Sequence, residues 1–236
     1  MFFAPTLAFF SDEPIIVQCY VRLMTFLPDT TTLLAYSLAS ILLFITPGPD
    51  MSLWLSRTVV SGRKAGWAAM AGTNLGCVVH TLLAAFGVSA LIAASVTAFT
   101  VLKIVGAAYL LWLAYDAIRN GSSLNVKSEG MAPASALSSF LLGITVNLTN
   151  PKVVLFFITF LPQFVSATDP HVAGKLLFLG FYFVLLNTPL AALLIWGAEK
   201  FVHWLKARPR ILRGVDYSFA GVFAFFALKI VFTQGK

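Results

Sequence analysis

Two ionisable residues stand where such residues are expensive. Asp50 and Lys152 each lie inside a long apolar stretch, and each closely follows proline: Thr46-Pro47-Gly48-Pro49-Asp50 in the first stretch, Asn150-Pro151-Lys152 in the second. Proline removes a backbone donor and its ring clashes with the preceding turn. Pro47 and Pro49 around Gly48 therefore interrupt a helix, and Pro151 does so more mildly. Freed carbonyls in hydrocarbon cost several kcal/mol each, so such breaks must face protein or a polar cavity. Charges at that depth default to a functional role. One is an anion and one a cation, which suits an amino-acid zwitterion. Asp50 is placed to hold an ammonium. Lys152, with the amides of a half-helix N-terminus, is placed to hold a carboxylate. Thr46, Asn147, Thr149 and Asn150 add neutral hydrogen-bonding groups on the same segments. The alternative is a structural ion pair between Asp50 and Lys152 that pins the two segments together.

The elements that position these residues must be membrane-spanning helices. Hydrophobic residues make up 59% of the 236 and charged residues only 11%. Soluble domains carry roughly 25% charged residues, and a bilayer is the solvent in which the outside is apolar too. Spans of about 20 apolar residues are expected at 31–59, 65–94, 99–118, 137–164, 172–198 and 215–232. The gap between the second and third is short and barely polar, which predicts a tight hairpin. The chain thus reads as an all-α membrane protein of six transmembrane helices, without a soluble domain.

The net charge of +7 comes from basic residues set in short gaps between apolar runs, not from a patch interleaved with aromatics. That pattern excludes a nucleic-acid footprint and reports topology. Arg57, Arg63, Lys64, Arg119, Lys127, Lys200, Lys206, Arg208, Arg210 and Arg213 fall on one side. They outnumber Arg22, Lys103, Lys175, Lys229 and Lys236 on the other, so the first set is expected in the cytoplasm and both termini in the periplasm. Residues 1–28 form an extension without a basic n-region or a convincing cleavage site. Met24 is the expected natural start.

An internal repeat is expected as well. Residues 102–119 lie on 212–229 without gaps, with Leu102/Leu212, Val105/Val215, Ala114/Ala224 and Ala117/Ala227 coinciding. The first and fourth spans share a Thr followed closely by Pro. Three helices per half is an odd number, so the second half must insert upside down. The fold expected is two inverted three-helix repeats, 29–125 and 126–236.

Other residues carry weaker signals. Gly72 and Gly76 form a GxxxG pattern that suits internal helix packing, with a homodimer face as the alternative. Asn74 between them is a candidate to line the cavity. His80 reads as a satisfied structural histidine rather than a proton relay. Asp116 and Arg119 are spaced to pair on one helix face. Asn187-Thr188-Pro189 is expected to break the fifth span, as a hinge or as an ordinary proline kink. The Phe and Trp residues are expected to face lipid or the interface. Cys19 and Cys77 give neither a disulfide framework nor metal spacing. No Walker A, HExxH or GxSxG motif occurs, so no cofactor, catalytic residue or ATPase is indicated and an enzyme is not expected.

The stretch Thr46-Pro47-Gly48-Pro49-Asp50, with Gly143-Ile144-Thr145-Val146-Asn147-Leu148-Thr149-Asn150-Pro151-Lys152 about a hundred residues later, resembles the LysE/RhtB family of amino-acid exporters. The resemblance runs from Met24 to the C-terminus. It implies export of amino acids or close derivatives across a bacterial inner membrane, driven by the proton-motive force. It also implies that Pro47, Gly48, Pro49, Asp50, Asn150, Pro151 and Lys152 are signature positions. A metal-ion or other small-solute exporter on the same six-helix plan is the alternative. Only three histidines are present, and they are not clustered as a metal site requires.

Overall fold

The computed structural model describes residues 27–121 and 132–234. The expected start at Met24, residues 1–26 of the N-terminal extension, Lys127 and Lys236 lie outside the described residues. Among the described residues every regular element is helical.

Helix α1 (Thr30–Ile45) opens on Asp29, whose carboxylate accepts from the Thr32 amide at 2.9 Å and the Thr32 hydroxyl at 2.6 Å. The Thr32 hydroxyl and then its amide hold this carboxyl below the ordinary range, as expected of an N-cap. The helix stops where the prolines begin. Gly48 is extended and Pro49 is the first residue of α2 (Pro49–Ser61). The two axes meet at 51°. Gly62, with φ of +83°, turns the chain from α2 into α3 (Arg63–Ala94). This left-handed geometry favours glycine. A single residue, Ser95, separates α3 from α4 (Val96–Arg119), and its hydroxyl caps α4 by accepting from the Ala98 amide at 3.1 Å. The two helices are thus separate, with the short connection read from the sequence.

The second break repeats the first. Helix α5 (Ala136–Thr149) ends at Asn150, and Pro151 is the first residue of α6 (Pro151–Leu155). A π-helical turn, Phe156–Phe160, and a 3-10 turn, Leu161–Phe164, prolong α6. The bend between α5 and this second limb is 53°. After it, Asp169 bonds Lys175 and the His171 amide. Partial burial raises its pKa, but these bonds outweigh that and hold the carboxyl below the ordinary range.

Helix α7 (Val172–Trp196) runs unbroken through Pro189. The expected break at Asn187-Thr188-Pro189 does not occur. Pro189 deprives only the Leu185 carbonyl of its helical donor, a loss that a helix packed along α3 tolerates. Helix α8 (Ala198–Lys206) is short and amphipathic, burying Ala198, Val202 and Leu205. Helix α9 (Pro209–Gln234) closes the bundle.

Among the described residues four helices are long and apolar enough to cross a membrane, or up to six if each bent pair is one span. Helix α3 is the central post, packing on α2, α5 and α7, while α4 packs along α9. Gly72 and Gly143 let α3 and α5 cross closely. A Cβ on Gly72 would stand 2.1 Å from the Phe140 carbonyl oxygen, and one on Gly143 would stand 2.3 Å from that of Ala69. The small-residue face of α3 is therefore used inside the chain.

The aromatic residues depart from expectation. Leu34, Leu83, Leu185, Trp196 and Phe232 do face outward, as lipid-exposed residues should. But Phe156, Phe157, Phe160, Phe219 and Phe223 form a buried cluster with Tyr36, and Trp54 is buried beside a cavity. In a bilayer apolar surface gains little by moving inward, so packing shape, not hydrophobicity, decides where a Phe resides. Arg57, expected near a loop, is buried in α2.

Candidate functional site

The two breaks meet, and each completes the other. Without Pro47 an amide would reach the Leu43 carbonyl four residues back. In its place the Lys152 ammonium donates to the Leu43 oxygen at 2.7 Å and to the Thr46 oxygen at 2.6 Å. A Cβ on Gly48 would meet the Lys152 chain at 3.8 Å, an ordinary van der Waals contact, so the approach does not depend on glycine there. In the other direction, Asp50 accepts from the Asn147 amide at 2.6 Å and the Asn150 amide at 3.0 Å. Asn150 works at both ends: its oxygen also caps α6 by accepting from the Lys152 backbone amide at 3.1 Å.

Asp50 and Lys152 do not bond each other directly; each is held by neutral groups of the opposite break. An ammonium has three N–H donors and a carboxylate has about four acceptor sites. Both groups therefore keep hydrogen-bonding capacity beyond their protein partners. Asp50 and Lys152 occupy the same place in their half-helices, the second residue after a capping Gly48 or Asn150, with proline between.

Behind Asp50, Asn147 is fully buried. Its side-chain amide also reaches the Cys77 sulfur at 3.5 Å, and its backbone carbonyl oxygen stands 3.3 Å from His80 Nε2. The His80 ring stacks on Phe157 with centroids 5.7 Å apart. His80 is thus satisfied by structure, as the sequence suggested. Asp116 and Arg119 do not pair: Arg119 donates to the Tyr115 hydroxyl and Asp116 accepts from Asn120.

Two cavities adjoin the breaks and share Thr46, Gly48, Asn150 and Lys152 as a common wall. The first, about 70 Å³, also contains Asp50 and Asn74 and extends between α2, α3 and α7. Its wall includes residues the sequence did not single out for it: Phe44, Met51, Trp54, Thr73, Phe183 and Asn187. Trp54 donates to the Thr73 hydroxyl at 3.0 Å and stacks on Phe44. Asn74 donates to Thr188 at 3.0 Å. The second cavity, about 480 Å³, is bounded by Pro47, Pro49 and Pro151 and extends to Asp116 and Gly121 at the end of α4. All ten candidate residues thus converge on one place, with Asn147 as the support behind Asp50.

At the other end of α4 and α9 lies a third cavity of about 400 Å³, lined by Lys103, Phe164, Phe226 and Lys229. Packed aromatic rings, tilted or edge-on to one another, separate it from the second. Phe160 lies 5.1 Å, centroid to centroid, from both Phe223 and Phe226, and Phe219 lies 4.3 Å from Phe223. Phe160 and Phe223 are 0% and 1% exposed. Among the described residues no group of three or more His, Cys, Asp or Glu is placed to hold a metal ion.

The family of LysE type translocators matches residues 41–234. A homoserine/homoserine lactone efflux protein of Salmonella typhimurium is 29% identical over 189 residues, covering 80% of this chain and 90% of the relative. A leucine efflux protein of Klebsiella pneumoniae is 30% identical over 209 residues, covering 85% and 95%. An uncharacterized membrane protein of Vibrio cholerae is 32% identical over 145 residues, covering 61% and 69%. No solved structure matches the chain significantly.

Proposed function

The chain belongs to the LysE type translocator family, and from that premise we propose that it exports amino acids or close derivatives across the bacterial inner membrane in exchange for protons. The efflux proteins for homoserine and leucine among its relatives support this cargo. One observation carries the mechanism. An anion and a cation of opposite breaks face one cavity system, each held by neutral partners and neither neutralised by direct pairing with the other.

Asp50 receives the cargo's ammonium, or a proton in its place, because one carboxylate cannot hold both. Lys152 receives the carboxylate. Gly48, Pro49 and Asp50 match Asn150, Pro151 and Lys152 position for position, and the bends of 51° and 53° agree. These correspondences support two inverted repeats, 29–125 and 126–236, rocking about the shared breaks. With the α4 end at Asp116 in the cytoplasm and both termini in the periplasm, the larger cavity opens inward and the packed Phe160 and Phe223 rings close the outer side. The metal-ion alternative is favoured by no observation in the site.

The test is efflux from cells loaded with labelled amino acids. Loss of a charge-assisted hydrogen bond is worth about 1.5–3 kcal/mol, so Asp50→Asn and Lys152→Ala should each slow efflux about 10- to 100-fold at unchanged membrane abundance. Undiminished efflux in both variants removes the site. Concentrative export that survives an uncoupler removes the proton coupling.

A further inference from the structure

Helices α4 and α9 carry basic residues at matched positions of their sequence repeat, Lys103 with Arg213 and Arg119 with Lys229. Their carboxylates are not matched. Asp116 falls on Phe226, and Asp216 falls on Gly106. At the Gly121 end of the two helices the acids are in place. Asp116 lines the second cavity, and a Cβ on Gly121 would stand 2.9 Å from Arg213 Nη1 and 3.3 Å from Asp216 Oδ2. At the opposite end Lys103 and Lys229 line the third cavity. Where the repeat would put carboxylates stand Phe226, in the same wall, and Gly106, packed against Thr159.

Among the described residues the wall of this cavity holds two lysines and no Asp or Glu. Both lysines lie inside their helices, α4 starting at Val96 and α9 ending at Gln234. The Lys103 ammonium lies over the Phe99 ring, 4.7 Å from its centroid, and among the described residues it forms no ion pair. A cation within a span calls for a counter-charge, the more so beside a second cation. The carboxylates that adjoin the wall in sequence, Asp29 and Asp169, are bonded to Thr32 and to Lys175. Thr31, Gln163 and Ser166 add polar groups to the wall, and its volume of about 400 Å³ has room for a polyatomic ion.

We infer that this cavity is an oxyanion site, in which Lys103 and Lys229 together hold one carboxylate or phosphate group. Two sources supply such a group. Only packed rings, among them Phe226, separate this cavity from the second, so a cargo leaving past them would bring its carboxylate to the lysines. A phospholipid would bring the phosphate of its headgroup. The first source rests on the exporter reading above; the site itself does not.

The test uses the full chain purified in a neutral detergent, its lysines carrying isotope-labelled methyl groups that keep the charge. The resonances of Lys103 and Lys229 are assigned by their loss in Lys103→Arg and Lys229→Arg. They are followed by NMR against inorganic phosphate, leucine, leucinol and a short-chain phosphatidylglycerol. An oxyanion should shift both along one saturable curve and leave Lys64 and Lys200, beside the Gly62 turn, in place. Lys103→Gln, read at Lys229, and Lys229→Gln, read at Lys103, should each weaken binding at least about tenfold, the least expected from a lost hydrogen bond to a charged group. A response to leucine but not to leucinol, which lacks the carboxylate, identifies the cargo as the source. A response to phosphatidylglycerol and not to leucine identifies the lipid. No saturable shift with any probe, an equal shift of all four lysines, or variants that bind as the wild type does overturns the site, and the exporter reading then stands or falls by efflux alone.

Discussion

Asn150 holds the two charges in register. Its amide nitrogen bonds Asp50 and its oxygen caps the half-helix that carries Lys152. The two roles separate by substitution. Serine retains a capping oxygen but cannot donate as far as Asp50. Alanine retains neither, and loss of an N-cap costs about 1 kcal/mol. Asn150→Ser should therefore reach the membrane at near wild-type abundance while exporting about tenfold less, as expected from one lost bond to a charge. Asn150→Ala should fall in both. Abundance by immunoblot beside efflux reads the two effects, and identical behaviour of the variants would deny the dual role. Much of this was legible in the residues. A charge in an apolar run and a proline beside it are both conspicuous, and together they point to Asp50 and Lys152. The partners of those charges were not legible in pairing. That the Leu43 carbonyl is met by Lys152, and Asp50 by Asn147, depends on how two distant segments cross.

At the scale of elements, the α3–α5 crossing is set by backbone contact. A Cβ on Gly143 would press against the Ala69 carbonyl, which cannot rotate away, whereas one on Gly87 would meet nothing within 4 Å. Overpacking of this kind costs about 1–3 kcal/mol. Gly143→Val should lower membrane abundance and thermal stability in detergent, and Gly87→Ala should leave both unchanged. Equal tolerance at the two sites would contradict the close crossing. The same scale explains what the sequence did and did not convey. Pro47, Pro49 and Pro151 ended helices as expected, because each stands where α1 or α5 gives way to a second limb with its own cap. Pro189 did not, because it costs α7 a single backbone bond and α7 is packed along α3. Proline alone cannot distinguish a break from a tolerated interior residue. The Phe residues misled for a related reason: composition places them in a bilayer protein but not on one side of a helix, so the ring cluster around Phe160 and Phe223 emerged only from packing.

Across the whole molecule, orientation is what turns geometry into direction of transport. Basic residues after the first, third and fifth spans support a cytoplasmic location for those connections. Reporter fusions after Lys64 and after Ser166 should report cytoplasm and periplasm respectively. The reverse pattern would reverse the orientation, and the larger cavity would then face outward. One contact between the halves bears on what the carrier does when empty. The Lys152 ammonium supplies donors to two carbonyl oxygens of the other half, so parting the halves without a substitute strands both oxygens and a cation in a medium that solvates neither. That contact acts as a latch. On the proposed export reading, the unloaded protein would be held against idle opening until a bound molecule supplied what the latch gives up.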